Sequence, residues 1–112
     1  MKEDTTLNLE GELRERELFE LGEKLVRMLY LGVRRVVVDL SEVTHLNFRG
    51  VRPLVQKVMQ FREAGGEVKL CSVSPYLQAI LRASGAANMF ECHPDEPRAR
   101  ASFARPPSVV NL

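Results

Sequence analysis

The chain has 112 residues and a mass of 12.7 kDa, which is the size of one domain and too short for two separate cores. Hydrophobic residues form 45% and charged residues 28% of the sequence, a globular composition that argues against a disordered chain. The net charge of +1 provides no overall field to attract nucleic acid or an anionic membrane, so we expect neither as a partner.

The apolar runs and the cysteines predict the cellular compartment of the protein. No run approaches the roughly 18 apolar residues that a membrane-spanning helix needs, so we expect no direct membrane insertion. The two cysteines make no disulfide framework, which favours a reducing, cytoplasmic compartment. Residues 1–42 hold ten acids and seven bases, and residues 43–112 hold five acids and nine bases. This division favours a surface with one preferred side for a partner, although simple solvation would give the same pattern.

Alternating and helical spacings divide the first half of the chain. Residues 5–10 alternate apolar and polar side chains, which predicts a strand that ends at Gly11. From Glu12 onwards apolar residues recur three and four positions apart, which predicts an amphipathic helix ending at Gly32. The β-branched run at 36–40 predicts a strand covered on both faces, followed by a connection with little periodicity.

The second half of the chain continues the alternation. A helix is predicted from near Gly50, with Pro53 in its first turn, where the missing N–H has no cost. Residues 67–73 predict a strand, and Ser74-Pro75 is a strong start signal for a third helix. A short strand at 89–92 and a last helix at 95–103 complete the prediction.

The order of these elements predicts the fold class. Strands that alternate with helices at this spacing are joined by crossovers, so we expect an α/β fold with a mostly parallel sheet and helices packed against it. We predict one domain over residues 1–104. The segment 105–112 is typical of a flexible C-terminal tail.

Signals for catalysis or metal binding are weak. Gly65-Gly66 lies between a helix and a strand, which is the wrong side for a phosphate-binding loop. The candidate soft metal ligands fit no standard spacing; they are His45, His93, Cys71 and Cys92. We therefore expect no enzyme activity, no metal and no cofactor, and we interpret Cys71 as a small core residue.

Asp39 is the one acidic residue that the predicted strands place near a possible ligand site. It comes at the carboxyl end of a predicted buried strand, where ligands bind in such sheets. A small ligand near Asp39 and Asn47, in a nucleotide-binding regulator or small enzyme, is therefore one alternative. The simpler interpretation is that Asp39 caps the following turn.

Several segments resemble, in order, the STAS domain of bacterial anti-sigma-factor antagonists. The segments are Leu-Glu-Gly-Glu-Leu at 9–13, Val-Val-Val-Asp-Leu-Ser-Glu-Val at 36–43, Gly65-Gly66, the strand from 67 with Ser74-Pro75, and 81–90. The resemblance covers residues 5–103. It implies a STAS-like mixed, mostly parallel sheet and a non-catalytic interaction module that binds an anti-sigma factor or related regulatory protein to control transcription.

The chain departs from that family at the motif that contains the phosphorylated serine. The usual motif is Asp-Ser-Ser-Gly or Asp-Ser-Thr-Gly, and its first hydroxyl residue is phosphorylated. Alignment on the glycine puts Asn47, Phe48, Arg49 and Gly50 at these positions. Since Phe48 cannot be phosphorylated, the resemblance implies binding without that switch. Ser41 and Thr44 are weak substitute candidates, and Ser41 is more simply interpreted as capping a turn.

The same helix start supplies the predicted binding residues. An aromatic residue beside an arginine is a pair enriched at binding hot spots, and helical spacing puts Arg49, Arg52, Gln56 and Gln60 on one side. We therefore expect a partner with acidic groups to bind Asn47, Phe48, Arg49, Gly50, Arg52 and Gln56. In the competing interpretation, Phe48 fills the core and the arginines only solubilise the helix.

A second function is compatible with the missing serine. STAS domains also serve as soluble subunits bound to the ATPase of transporter assemblies of the lipid-transport type. Such a subunit needs no phosphorylation, so a transporter ATPase is the alternative partner.

Overall fold

A computed structural model describes residues 4–103 of the chain. The strands and helices in chain order are β1 (Thr5–Leu13), α1 (Glu15–Tyr30), β2 (Arg35–Leu46), α2 (Phe48–Glu63), β3 (Glu67–Cys71), α3 (Pro75–Ala83), β4 (Glu91–His93) and α4 (Glu96–Phe103), with a 3-10 turn at Ala87–Met89 before β4. The strands form one sheet in the order β1-β2-β3-β4, and every pairing among the described residues is parallel. The predicted α/β class is confirmed, whereas the predicted tail at 105–112 lies outside the described residues.

One face of the sheet carries the main hydrophobic core. Because successive side chains of a strand point to opposite faces, Val36 and Val38 of β2 point to this side and Val37 to the other. The apolar positions of α1, α2 and α3 cover the first face. Among the described residues, Phe61 is the largest side chain that is fully buried, followed by Leu18, Leu25 and Leu77. Packing of α2 against α1 and the sheet in this core holds the start of α2 at the end of β2.

Within residues 4–103, α4 is the helix that covers the opposite face of the sheet. The apolar cluster described there is formed by Val37, Cys71, Ala99 and Phe103. Cys71 is completely buried, as expected of a core residue. Burial raises the pKa of its thiol to about 11, and the nearby Asp39 carboxylate acts in the same direction.

The first two strands are longer than the sequence pattern indicated. β1 continues through Gly11 to Leu13, and β2 continues to Leu46 instead of ending at residue 40. Two register shifts relative to β1 each insert an extra residue into β2. These bulges break the period of two, so the exposed Ser41, Glu42 and Thr44 give the appearance of a connection.

The second helix starts earlier than the prediction placed it. α2 begins at Phe48, so Pro53 is its sixth residue and not part of the first turn. The helix continues through Pro53 because this side is exposed, where water can bind the carbonyl of Arg49 that loses its N–H partner.

Two smaller boundaries also differ from the sequence-based expectations. β3 ends at Cys71 rather than at residue 73, because Ser72 adopts a left-handed backbone conformation with φ of 58°. The segment expected as a strand at 89–92 starts as the 3-10 turn, and the strand follows at Glu91–His93. Within residues 4–103, no helix is both long and apolar enough to cross a membrane.

Candidate functional site

Asn47 fixes the start of α2 at the end of β2. Its backbone N–H donates to the carbonyl of Leu13 at 2.9 Å, which joins it to the end of β1. Its side-chain Oδ1 accepts hydrogen bonds from the backbone N–H of Arg49 at 2.8 Å and of Gly50 at 3.1 Å. Asn47 is therefore a helix N-cap, and it satisfies two of the amide donors that a helix start leaves free.

Gly50 lets the first turn of α2 lie directly against α1. A Cβ atom at this position would lie 2.8 Å from Leu18 Cδ1 and 3.1 Å from Glu15 Cα. No other residue allows this approach without a shift, so the glycine is explained by packing. The predicted binding residue Gly50 is buried, and its contribution is to position the neighbouring side chains.

Phe48 lies at the surface of the molecule. Its exposure is 55%, so the interpretation in which it fills the core is wrong. Arg49, Arg52 and Gln56 are also exposed. We call the set Asn47, Phe48, Arg49, Arg52 and Gln56 the α2-start surface.

The two arginines of the α2-start surface form no salt bridge within the described part of the chain. The salt bridges found between residues 4 and 103 involve neither Arg49 nor Arg52. Their guanidinium groups are always charged at physiological pH. The α2-start surface thus combines an exposed aromatic ring with two positive charges that no carboxylate among these residues neutralises.

A second aromatic group contributes to the same edge of the sheet. Tyr76 in the first turn of α3 is 55% exposed, and its hydroxyl lies 2.7 Å from Nδ1 of His45 near the end of β2. The sequence pattern indicates His45 as a candidate metal ligand and as part of the connection before α2, and it indicates Tyr76 only as a helix position. The signal was present, because Ser74-Pro75 places Tyr76 just beyond the carboxyl end of β3.

The helix that carries Tyr76 starts where the sequence predicts. Ser74 Oγ accepts a hydrogen bond from Leu77 N–H at 3.2 Å, and Pro75 occupies the first helical position. This cap fixes the first turn of α3 and so the position of Tyr76 relative to β2.

Asp39 and Asn47 do not form one ligand site. Asp39 lies within β2 and not at its end, and Asn47 follows eight residues later, a separation of about 25 Å along an extended strand. The Asp39 carboxylate accepts a hydrogen bond from the Ser41 N–H at 2.9 Å. Asp39 and Ser41 both lie in β2, so neither caps a turn, and the Asp39 carboxylate instead binds the Ser41 N–H at the first bulge of the strand.

The other weak candidates are placed as follows. Ser41 and Thr44 are both exposed on β2. Burial raises the pKa of the Cys92 thiol, and His93 Nε2 lies 3.0 Å from the carboxylate of Glu91. Between residues 4 and 103, no group of three or more His, Cys, Asp or Glu side chains is arranged to hold a metal ion.

The described chain thus combines a four-stranded parallel sheet with a capped helix start at the end of the second strand, and this combination can be compared with known domain families. The family model described as "Mlab, STAS domain" matches residues 1–91. The chain therefore belongs to the STAS domain family, a regulatory and interaction fold rather than a family of enzymes.

Particular relatives agree with this assignment. BtrV of Bordetella bronchiseptica, which carries the provisional name anti-sigma factor antagonist, is 27% identical over 95 residues, covering 85% of this chain and 82% of that protein. The anti-sigma factor antagonist SpoIIAA in its unphosphorylated form matches with a TM-score of 0.72 and 20% identity over 99% of this chain and 95% of its own. The NMR structure of the protein TM1081 matches at 0.80 and 16% identity over 95% and 86%. The two structural matches show the fold.

Proposed function

We propose that this protein is an interaction module that binds an anti-sigma factor or a related regulatory protein through the α2-start surface, and so controls transcription. In this proposal Phe48 is the central contact, and Arg49 and Arg52 attract acidic groups of the partner. The observation that carries the proposal is the exposure of Phe48 beside two arginines on a rigidly capped helix start.

The energetics of such a surface support the proposal. Aromatic residues and arginine dominate binding energies at protein interfaces, where single residues contribute about 2 kcal/mol or more. The Asn47 cap and the close packing at Gly50 hold the surface in place before a partner arrives, so little ordering entropy is lost on binding. The resemblance to BtrV, which is named for such a role, supports the class of partner.

We further propose that binding is not switched by phosphorylation at the family position. SpoIIAA has been solved in unphosphorylated and phosphorylated forms. The resemblance to the family motif puts Phe48 at the position of the phosphorylated residue, and Phe48 has no hydroxyl group. Ser41 and Thr44 are the hydroxyl residues left to test as substitutes.

The same observation favours a second candidate partner. A STAS subunit of a transporter assembly, bound to its ATPase, needs an exposed contact surface and no phosphorylation. The α2-start surface is exposed, and Phe48 within it cannot be phosphorylated. The identity of the captured protein separates the two candidates.

Affinity capture with the tagged full chain, followed by mass spectrometry, tests the proposal. We expect the wild-type protein to retain an anti-sigma factor. Phe48→Ala and the double variant Arg49→Glu/Arg52→Glu should each weaken the affinity for that purified partner by more than tenfold in calorimetry. Lys24→Glu/Arg27→Glu on α1 changes the net charge equally and is the matched control, which should bind like wild type.

The outcomes distinguish the parts of the proposal. Equal binding by the wild type and both α2 variants would eliminate this surface. Retention of a transporter ATPase in place of an anti-sigma factor would support the second candidate. Phosphate detected on Ser41 or Thr44 in the captured protein would contradict unswitched binding.

A further inference from the structure

Among residues 4–103, nothing pairs with the outer edge of the sheet along β1. The strand order places β1 at one end of the sheet, where β2 pairs with it on one side only. No other strand between residues 4 and 103 pairs with its outer side over Thr5–Leu13. An edge strand of nine residues offers a row of backbone donors and acceptors that can accept another strand.

A groove of about 630 Å³ runs beside this edge, between β1 and α1. Its apolar lining comes from Leu9, Leu13 and Leu21, which would contact the inward side chains of an added strand. Asn8, Glu10, Glu17, Glu20, Lys24 and Arg27 form the polar part of the lining. The side chains of a strand added to β1 could therefore occupy this groove on the helix-covered face of the sheet.

The charges along the groove change sign from one end to the other. α1 follows β1 and runs back along it, so Glu17 and Glu20 lie toward the carboxyl end of β1. Lys24 and Arg27 lie toward its amino end. A two-fold rotation that pairs β1 with a second β1 in the antiparallel direction brings the acidic end of each groove to the basic end of the other. The groove is thus complementary to itself in charge.

We propose that β1 is the interface of a symmetric dimer, in which two copies of this chain join their sheets into one eight-stranded sheet. A pairing centred on Leu9 places Asn8 opposite Glu10 of the second copy. It likewise places Thr6 opposite Glu12 of the second copy. No two like charges then lie directly opposite each other, which is the requirement for a stable cross-strand pair.

This interface and the α2-start surface use different residues. None of the groove-lining side chains belongs to the α2-start surface. A dimer would therefore present two α2-start surfaces at once, and each proposal can fail without the other.

Sedimentation equilibrium of the full chain from about 1 µM to about 1 mM tests the dimer, because this span covers the dissociation constants of weak interfaces. The wild type should pass from monomer to dimer within this range. Lys24→Glu/Arg27→Glu should weaken the dimer by at least tenfold, because acidic groups then face acidic groups. Glu20→Lys should weaken it in the same way, and it leaves Glu17, which caps α1 through Arg14, unchanged.

Mixing gives the sharpest version of the experiment. An equimolar mixture of Lys24→Glu/Arg27→Glu with Glu20→Lys should dimerise more strongly than either variant alone, since it restores opposite charges on one side of the two-fold axis. Hydrogen exchange of the β1 amides should slow with rising wild-type concentration. Arg49→Glu/Arg52→Glu carries the same charge change outside the groove and should dimerise like wild type.

Three results would overturn the proposal. They are a wild-type protein that stays monomeric at about 1 mM, a dimer that the α1 variants leave unchanged, and a dimer without added protection of β1. Circular dichroism of each variant establishes that it is folded before it is compared. Loss of dimerisation with intact capture of the regulatory partner would separate this interface from the proposed function.

Discussion

The two faces of the sheet are held by different forces. On the face covered by α1, α2 and α3, a continuous cluster of buried apolar side chains packs around residues such as Phe61 and Val58. On the α4 face, the buried apolar cluster of the described residues is much smaller and has four members. Burial of apolar surface therefore stabilises the first face, whereas the second depends on other contacts.

Those other contacts centre on Lys69. Its ammonium group is buried, and it lies 2.6 Å from the Glu91 carboxylate and 2.5 Å from Ser102 Oγ. It also lies over the ring of Phe103, 4.5 Å from the centroid. Hydrogen bonds from Lys69, and secondarily from His93, lower the pKa of Glu91 to about 2.

We therefore expect α4 to be the least stable of the four α-helices between residues 4 and 103. A buried charge must keep its partners, and a helix with few apolar contacts opens more readily than the main core. The α2-start surface belongs to the well-packed face, so changes to α4 should leave it largely intact. The following variants test this division, starting with the largest effect.

Phe61→Ala should have the largest effect on stability. The side chain is 1% exposed within the main core, so its removal should lower the free energy of unfolding by about 3–5 kcal/mol. Urea denaturation followed by circular dichroism measures the change. A loss below about 1 kcal/mol would contradict the central place of the helix-covered face.

Gly50→Ala should lower stability by about 1–3 kcal/mol, because the added methyl group overlaps Leu18 and the backbone of Glu15. Gly22→Ala is the matched control on the same helix pair. There the new Cβ would lie 2.9 Å from Lys57 Cγ, so the Lys57 side chain must shift, but the nearest contacts include no backbone atom. Alanine also favours the helix by up to about 1 kcal/mol, which offsets part of the cost. Thermal unfolding should therefore show a larger fall of the midpoint for Gly50→Ala than for Gly22→Ala; an equal fall would contradict the importance of the backbone contact at Glu15.

Phe103→Ala should release α4 while the rest of the fold remains. We expect a loss of about 1–2 kcal/mol for the docking of α4, which corresponds to about 5- to 30-fold more opening. Cys71 reports this opening, because α4 covers its thiol. Measured in a Cys92→Ser background, the reaction of Cys71 with a thiol reagent should accelerate by that factor. Unchanged labelling together with global destabilisation would place α4 in the main cooperative unit.

Glu91→Gln should have the smallest effect, and the effect should depend on pH. The folded-state pKa of about 2 lies below the ordinary value of 4.5, so the carboxylate stabilises the fold above pH 4.5 and loses this contribution as the pH falls toward 2. Since the side chain is half exposed, we expect less than about 1 kcal/mol. Urea midpoints of the wild type and the variant should differ at pH 7 and converge near pH 2; a constant difference would contradict the role of the charge.

Much of the fold could be predicted because most elements carry their own signals. The helix stop at Gly32 and the start at Ser74-Pro75 lie where local chemistry requires them. The second half of β2 gave no such signal, because its two bulges depend on pairing with β1. Pairing between distant segments cannot be inferred from periodicity within one of them.

The same limit applies to the second face. Lys69 alternates with apolar neighbours in β3, which is typical of a solvent-facing position, yet α4 covers it. For the candidate site, the motif position of Phe48 followed from the family resemblance. Its exposure depends on where α2 begins, and the contact between His45 and Tyr76 depends on how β2 and α3 approach each other.

The cap at the start of α2 has a further consequence. Asn47 is an amide, and the segment from Leu46 to Val51 has no side chain that gains or loses a proton in the physiological range, since arginine stays protonated. The two hydrogen bonds that hold this helix start thus form without any titratable side chain in the cap. A protein docking on Phe48 would meet a backbone that no change of protonation in the cap can release.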